Sequence, residues 1–138
     1  MVAYSFQSQF VDPIEAGTKR QTIRAIGKRR HARPGDALQL YTGMRTRNCR
    51  KILALDPTCL DVQPICIDVS QRTKTTALAF RAPVFVIDRI TIDGVELCAL
   101  KNLEDFARAD GFDTLADMAD FFGRTYGPGI FSGVLITW

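Results

Sequence analysis

Alternating apolar and polar residues predict that most of the first two thirds of the chain forms β-strands. Such alternation places apolar side chains on one face of a strand and polar ones on the other. The strands predicted in this way cover residues 3–7, 20–26, 37–41, 49–55, 58–69, 83–92 and 131–138. Leu38 and Leu40 share one face of the third strand, and Asp93-Gly94 is typical of a tight turn after the sixth.

One short helix is predicted near the N-terminus, over residues 9–16. Asp12 and Pro13 supply an N-cap and a first-turn proline, and Gly17 ends the helix. Further along, the Gly- and Pro-containing residues 27–36 and the polar residues 70–79 interrupt the periodic pattern. Both segments are therefore predicted to be exposed connections.

Two helices are predicted near the C-terminus, over residues 102–109 and 113–122, with Asn102 and Asp113 as their N-caps. An apolar stripe at helical spacing marks the second of them. Its members are Leu115, Met118, Phe121 and Phe122. This order of elements predicts an α+β fold, in which a sheet curls into a small barrel with two or three helices on its rim.

Length and composition predict one globular domain covering residues 1–138. The chain is 46% hydrophobic and 24% charged, which suffices for a buried core. No apolar run approaches the roughly 18 residues that a membrane span needs, and the first residues lack the features of a signal peptide. We therefore expect a cytoplasmic protein without a membrane partner.

Four cysteines occur without the paired spacing of a zinc site, and each lies in an apolar or alternating run. They are Cys49, Cys59, Cys66 and Cys98. We therefore expect small buried thiols, and neither a metal nor a cofactor.

Charge is distributed very unevenly along the chain, although the net charge is only +3. Residues 18–51 contain eleven Lys or Arg residues and one acidic residue, whereas residues 102–122 contain six acidic residues and one arginine. A basic surface of this density favours a polyanionic partner. The acidic helices suggest an alternative, a regulatory protein that recruits a protein partner through them.

The most informative short segment is residues 14–24, where a helix ends at Gly17 and the chain re-enters a strand. Lys19 and Thr22 then lie near one rim of the sheet, and Thr22 and Arg24 share one face of the strand. A cation, a hydroxyl and a guanidinium would converge on one pocket. The alternative is a solvated hairpin with a surface lysine and arginine.

Five segments in this order resemble the ASCH domain, in particular small stand-alone ASCH proteins of bacteria or phages. Residues 14–24 have the form I-x-x-G-x-K-x-x-T-I-R, and residues 34–40 read PGDALQL. The later segments are YTGMRTRNC at 41–49, ADGF at 109–112, and YGP followed by FSGVLITW within 126–138. The resemblance implies a PUA-like β-barrel that binds RNA or a nucleotide in a cleft beside the flanking helices.

Binding of RNA or of a modified nucleoside is also favoured by the basic residues themselves. Lysines and arginines in the loop over residues 28–33 are suited to phosphate contacts, and an aromatic side chain among such charges can stack a base. The alternative for that aromatic residue, Tyr41, is that it completes a core-facing strand. The predicted nucleic-acid-binding residues are Arg24, Tyr41, Arg45, Arg47, Lys51 and Ser132.

Hydrolysis is the alternative function that the resemblance implies. Some ASCH proteins remove the acetyl group from N4-acetylcytidine, and the matching residues here are Lys19 as base, Thr22 as nucleophile and Asp110 as acid. A threonine hydroxyl needs a neighbouring base, and a desolvated lysine can supply one. The family has glutamate where this chain has Asp110, which is one methylene shorter.

Cleavage of single-stranded RNA is a second hydrolytic alternative, because other ASCH proteins similar in the Y-T-G-x-R-T segment have been assigned that activity. The matching residues here are Tyr41, Arg47 and Ser132. These side chains could orient a phosphate and stabilise developing charge.

Overall fold

The structure of the chain, a computed structural model, describes residues 1–75, 77–78 and 81–138. These residues contain eight strands and three α-helices, which confirms the predicted α+β class. The strands are β1 (Val2–Phe6), β2 (Gln21–Ala25), β3 (Leu38–Thr42), β4 (Arg50–Lys51), β5 (Asp61–Thr75), β6 (Arg81–Ile92), β7 (Val95–Glu96) and β8 (Gly129–Thr137). The helices are α1 (Val11–Ala16), α2 (Leu100–Ala109) and α3 (Leu115–Tyr126), and one turn of 3-10 helix (Ser8–Phe10) precedes α1.

The described strands form two sheets, of order β1-β3-β4 and β2-β8-β5-β6-β7, and these do not close into the predicted barrel. In the first sheet β1 and β3 are parallel, with Tyr4 opposite Leu40. Parallel neighbours require a long crossover. Here the crossover contains α1, β2 and the segment between β2 and β3, residues 26–37, called here the basic loop. A parallel pair of this kind is not visible in the alternation of single strands.

Contacts divide the chain into two compact units. Unit 1 comprises Met1–Gln63, Ala109–Gly111 and Val134–Trp138, and unit 2 comprises Pro64–Arg108 and Phe112–Gly133. The core of unit 1 is built on one face of β1 and β3, where the predicted pair Leu38 and Leu40 is almost completely buried. Burial of these strands fixes their register, since a shift of one residue would turn the apolar face to solvent.

Unit 2 is built from the long antiparallel pair of β5 and β6 and from α3, which packs on β6. The predicted turn at Asp93 and Gly94 is confirmed, since both residues have positive φ and join β6 to β7. On the apolar side of α3, Met118 and Phe122 are buried. Phe122 also packs edge-on against Phe131, with the ring centres 5.2 Å apart.

The predicted helix caps were only partly correct. Gly17 ends α1 in the left-handed conformation, as expected. Asp12 lies inside α1, and Asn102 lies inside α2, because both helices begin earlier than their polar residues suggest. Thr114 rather than Asp113 caps α3, because its hydroxyl accepts a hydrogen bond from the backbone N–H of Asp117 at 3.1 Å. No helix in the described ranges has the length and apolar character of a membrane span.

Two further predictions were wrong. The predicted connection over residues 70–79 is strand as far as Thr75, because β5 continues its ladder with β6; Thr76 and Ala79 lie outside the described residues. The cysteines were expected to be buried, but Cys49, Cys66 and Cys98 are exposed and only Cys59 is buried. Cys66 lies on the exposed face of β5, which alternation alone did not identify, and Cys49 and Cys98 lie outside the strands.

Packing of α3 on β6 depends on a glycine. A Cβ atom at Gly123 would overlap the ring of Phe85. We expect Gly123→Ala to lower the free energy of unfolding by about 1–3 kcal/mol, although alanine is the better helix former. Urea unfolding measures this loss. Thr125→Ala, at an exposed position of the same helix, is the matched control; equal stability of both variants would contradict the packing.

Candidate functional site

The turn between α1 and β2 directs Lys19 into the interior of unit 1. Gly17 adopts a φ of 77°, and the backbone N–H groups of Thr18 and Lys19 both donate to the carbonyl oxygen of Pro13 at 3.0 Å. Only 2% of Lys19 is exposed. Lys19 is therefore not the surface lysine of a solvated hairpin.

Lys19 and Asp110 are in direct contact, although 91 residues separate them in the chain. Lys19 Nζ lies 3.5 Å from Asp110 Oδ1 and donates a hydrogen bond of 2.5 Å to the backbone carbonyl oxygen of Asp110. Gln21 Nε2 donates to the same carboxylate oxygen at 3.3 Å. The structure thus brings together two of the three predicted catalytic residues.

Aromatic and backbone groups surround this pair. Lys19 Nζ lies 4.8 Å from the ring centre of Phe10 and 5.8 Å from that of Phe6, within the range of cation–π attraction. At Gly111, which has a φ of 97°, a Cβ atom would lie 2.8 Å from Lys19 Cδ. The sequence Asp110-Gly111 therefore combines a carboxylate with the space that the lysine chain requires.

Burial shifts the pKa values of both members of the pair. Desolvation lowers the pKa of Lys19 and raises the pKa of Asp110, while the attraction between the two groups opposes both shifts. Each shift favours the uncharged form of its group. The free-energy difference between the ion pair and the neutral pair, an amine beside a protonated carboxyl, is therefore smaller in this buried site than in water.

Thr22 and Arg24 lie on one face of β2, as the alternation predicts. Arg24 Nε donates to Thr22 Oγ1 at 3.2 Å, and Arg24 Nη2 donates to the carbonyl oxygen of Ser5 at 2.9 Å. The guanidinium also stacks on aromatic rings, 4.7 Å from the ring centre of Phe6 and 5.1 Å from that of Tyr4. Thr22 is 4% exposed, so its hydroxyl is buried beneath the arginine.

A cavity of about 600 Å³ in unit 1, called here the basic cavity, is lined by five cationic side chains. They belong to Arg24, Lys28, Arg29, Arg30 and Arg45. None of the described residues that line it is acidic. A second depression of about 800 Å³ contains Arg50 and also Asp12, so its charge is balanced. Of these two depressions, the basic cavity is the one that has the charge of an anion site.

The basic loop between β2 and β3 is tied to β1 by Tyr4. The backbone N–H of Ala32 donates to the Tyr4 hydroxyl at 3.0 Å, and that hydroxyl lies 3.3 Å from His31 Nδ1. His31 Nε2 lies 2.9 Å from the carbonyl oxygen of Ala25, which can only accept, so this nitrogen carries a proton. These bonds fix the end of the loop that carries the cations into the cavity wall.

Arg45 reaches the basic cavity from a compact turn built around Thr46. The Thr46 hydroxyl donates to the carbonyl oxygen of Gly43 at 2.6 Å and accepts from the backbone N–H of Asn48 at 3.2 Å. Arg45 itself has a φ of 66°. For a residue other than glycine, this conformation costs about 1 kcal/mol or more. The turn therefore holds a strained residue at the cavity.

The other predicted binding residues occupy different places. Tyr41 is half-buried on β3, opposite Lys51 of β4. The Lys51 amine lies 2.6 Å from the Asp56 carboxylate, which raises the pKa of Lys51 through a hydrogen bond. Arg47 is exposed in the turn after β3. Ser132 is exposed on β8 in unit 2, where its hydroxyl lies 3.7 Å from Cys66 Sγ. RNA cleavage by these residues stays a prediction.

Several acidic residues of the C-terminal helices form hydrogen bonds or ion pairs with other residues of these helices. Glu104 accepts a hydrogen bond from the backbone N–H of Leu115, at the start of α3, at 3.0 Å. Asp105 pairs with Arg108, and Asp120 pairs with Arg124. Recruitment of a protein partner by this face stays a prediction. Within the described part of the chain no group of three or more His, Cys, Asp or Glu residues could hold a metal ion.

Sequence reasoning missed Tyr4 and His31 as parts of the site. The alternation of β1 assigns Tyr4 to the core, and it is indeed 7% exposed. Its contacts with the loop depend on the parallel pairing of β1 with β3, which brings the start of the chain beside residues that are distant in sequence. His31, the single histidine, was the available signal.

Because Lys19 and Asp110 are each other's partners in the interior, we expect the effects of substituting them on the free energy of unfolding to be non-additive. Lys19→Met and Asp110→Asn should each cost about 3–5 kcal/mol of unfolding free energy, because each leaves one buried group uncompensated. The double variant should cost less than the sum of the two. Urea unfolding of the four proteins measures the coupling, and strict additivity would show that the contact contributes nothing.

The loss in Lys19→Met should also depend on pH. Burial raises the pKa of Asp110, and Lys19 is the nearest charge that opposes this shift. Without Lys19 the folded state holds the Asp110 proton more tightly than the unfolded state does. The stability of the variant is then greatest at acid pH and falls as pH rises from the unfolded pKa, about 3.9, through the folded pKa. Burial raises the pKa of Asp110 in the unchanged protein too, so the fall should have the same sign there and be steeper in the variant. Unfolding midpoints of both proteins across this range measure the difference, and equal slopes would contradict the prediction.

No family model matches the chain, and no curated protein or solved structure shows significant similarity to it.

Proposed function

We propose that this chain binds RNA or a nucleotide in the basic cavity, as an ASCH-like protein. The observation that carries the proposal is the convergence of five cationic side chains on one cavity without an acidic side chain among its described lining residues. A volume of about 600 Å³ lies within the range of small-molecule sites. The order of the five ASCH-like segments supports the same class of ligand.

Both halves of a nucleotide would find matching chemistry in the cavity. Arginine and lysine side chains suit the phosphate oxygens. The rings of Tyr4 and His31 stand nearly parallel, at 14°, and line the same cavity with the apolar Val2 and Met44. Tyr4 is buried against His31 and Arg24, so the ring of His31 and the two apolar side chains are the surfaces that suit the face of a base.

Binding should depend on salt, and on the loop cations in particular. Neutralising Arg29 (Arg29→Gln) should weaken binding of a labelled single-stranded oligoribonucleotide and reduce the slope of log Kd against log salt by about 0.7, the value for one lost phosphate contact. Fluorescence anisotropy at several salt concentrations measures the slope. Lys101→Gln, an equal charge change on the exposed side of α2, should leave it unaltered. Equal slopes in the two variants would contradict a site at the basic cavity.

Removal of an acyl group from N4-acetylcytidine is the second candidate function. The observation that favours it is the buried Lys19–Asp110 contact, in which desolvation favours the neutral amine and the protonated carboxyl. Those are the protonation states that a base and an acid need before an acyl transfer. Thr22, the candidate nucleophile, contacts Arg24 of the cavity wall.

The reaction would proceed in two balanced stages. Thr22 Oγ1 attacks the acetyl carbonyl carbon while Lys19 takes the hydroxyl proton, and the bond to the exocyclic nitrogen breaks as that nitrogen receives a proton from the Lys19–Asp110 pair. Cytidine leaves. Water then hydrolyses the threonine ester and releases acetate, which restores the hydroxyl.

Substitutions at Thr22 test this candidate without disturbing the buried pair. Thr22→Val keeps the shape and removes the hydroxyl, so release of cytidine from N4-acetylcytidine should fall by at least about 100-fold. Thr22→Ser keeps the hydroxyl and should retain activity. Chromatography of the nucleosides measures both rates. Equal activity in Thr22→Val would exclude the threonine nucleophile, and no activity in the unchanged protein would exclude the reaction.

A further inference from the structure

The basic cavity has more cationic side chains than a short internal stretch of RNA has negative charges, and a neutral nucleoside has no negative charge at all. Five cationic side chains line a cavity of about 600 Å³. Among the described residues, the ion pairs include Arg30, which lies 3.3 Å from Asp36, but not Lys28, Arg29 or Arg45. A small cavity admits few nucleotides, and an internal phosphodiester carries one negative charge per nucleotide.

Two of these cations have defined surroundings: Arg24 is held by side-chain and backbone contacts, and Arg45 occupies a strained position in a compact turn. The turn around Thr46 maintains Arg45 in a left-handed conformation that arginine otherwise avoids. Arg24 lies against the rings of Tyr4 and Phe6 and donates to the carbonyl oxygen of Ser5. A guanidinium presents several N–H donors in one plane, which suits a group with several equivalent oxygens.

We propose that the basic cavity recognises a terminal phosphate on a nucleotide, so that a phosphorylated ligand is preferred over its unphosphorylated counterpart. The proposal rests on the proposed nucleotide binding and adds the chemical group that is recognised. A terminal phosphate presents three oxygens and carries a charge of about −1.5 to −2 at neutral pH. It therefore matches several cations within one small cavity better than a single diester does.

The same chemical group has two sources, a free mononucleotide and the end of an RNA strand. In either case the base lies against the apolar and aromatic part of the cavity, lined by Val2, Tyr4, His31 and Met44. The phosphate lies toward Arg45 and the basic loop. A neutral nucleoside would make only the first set of contacts, so its affinity should be low.

The test compares ligands that differ only in the terminal group. One short single-stranded oligoribonucleotide is prepared with a 5′-phosphate, with a 3′-phosphate and with hydroxyls at both ends, and its Kd for the full chain is measured by anisotropy at fixed salt. We expect the better phosphorylated form to bind about tenfold or more tightly than the hydroxyl form, as for one gained charge-assisted contact. Competition with cytidine 5′-monophosphate and with cytidine distinguishes a free nucleotide from a strand end.

Arg45→Gly is the informative variant. Glycine adopts positive φ readily, so the turn is retained while the cation is removed. The preference for the phosphorylated strand should fall by about tenfold, whereas Lys101→Gln, on the exposed side of α2, should retain it. A free energy of unfolding, measured in urea, at least equal to that of the unchanged protein would confirm that the loss does not come from the fold.

The outcomes separate this inference from the function on which it rests. Equal affinity for phosphorylated and unphosphorylated strands would overturn the terminal-phosphate proposal and leave RNA binding standing. A preference that survives Arg45→Gly would overturn the assignment of the phosphate to the Arg45 end of the cavity. Failure of every strand and nucleotide to bind would overturn the proposed function itself.

Discussion

An ammonium group that is removed from water needs oxygen partners in exchange, and unit 1 is organised around this requirement at Lys19. The turn at Gly17 directs the side chain inward, and both oxygen partners belong to Asp110. The contact therefore holds Ala109–Gly111 in unit 1, although the residues on either side in sequence belong to unit 2. Gly111 is part of the same arrangement, because any larger residue would displace the lysine chain or Phe10.

Cationic groups in unit 1 follow two different physical rules. Lys19 is buried and compensated, so its charge contributes to the fold and is inaccessible to a solvent-borne anion. The cations of the basic cavity lie near the surface, where water screens them, and they attract an anion without destabilising the core. Arg24 belongs to both groups, since it contacts buried Thr22 and also lines the cavity. The strained backbone at Arg45 is likewise consistent with a residue retained for binding.

The sequence was a good guide wherever one element determines the outcome. The position of β3, the burial of Leu38 and Leu40, the end of α1 at Gly17 and the shared face of Thr22 and Arg24 all follow from local period and turn chemistry. The predicted first residues of the helices were less accurate. Several neighbouring polar residues can cap a helix, and the backbone conformation determines which of them does so.

Features that depend on pairing between distant segments could not be predicted in the same way. The parallel alignment of β1 with β3 determines that Tyr4 meets His31 and Ala32, and no spacing in the chain reports it. The division of strands into two sheets has the same origin. For Asp110, the motif indicated the residue but not its role as the partner of Lys19, because that contact joins positions 91 residues apart.

Binding and hydrolysis make different demands on the same side chains, and Arg24 connects them. A hydroxyl that accepts a hydrogen bond from a guanidinium loses its proton more easily, because the cation stabilises the resulting alkoxide. In the proposed hydrolysis, the contact between Arg24 and Thr22 would lower the free-energy cost of forming the nucleophile, and Lys19, whose pKa is lowered by burial, would act as the base. The proposed phosphate binding needs none of this, since it depends on the cationic side chains of the basic cavity and involves no proton transfer. Loss of the buried pair would therefore abolish the proposed hydrolysis through its protonation states, but would affect the proposed binding only through the stability of unit 1.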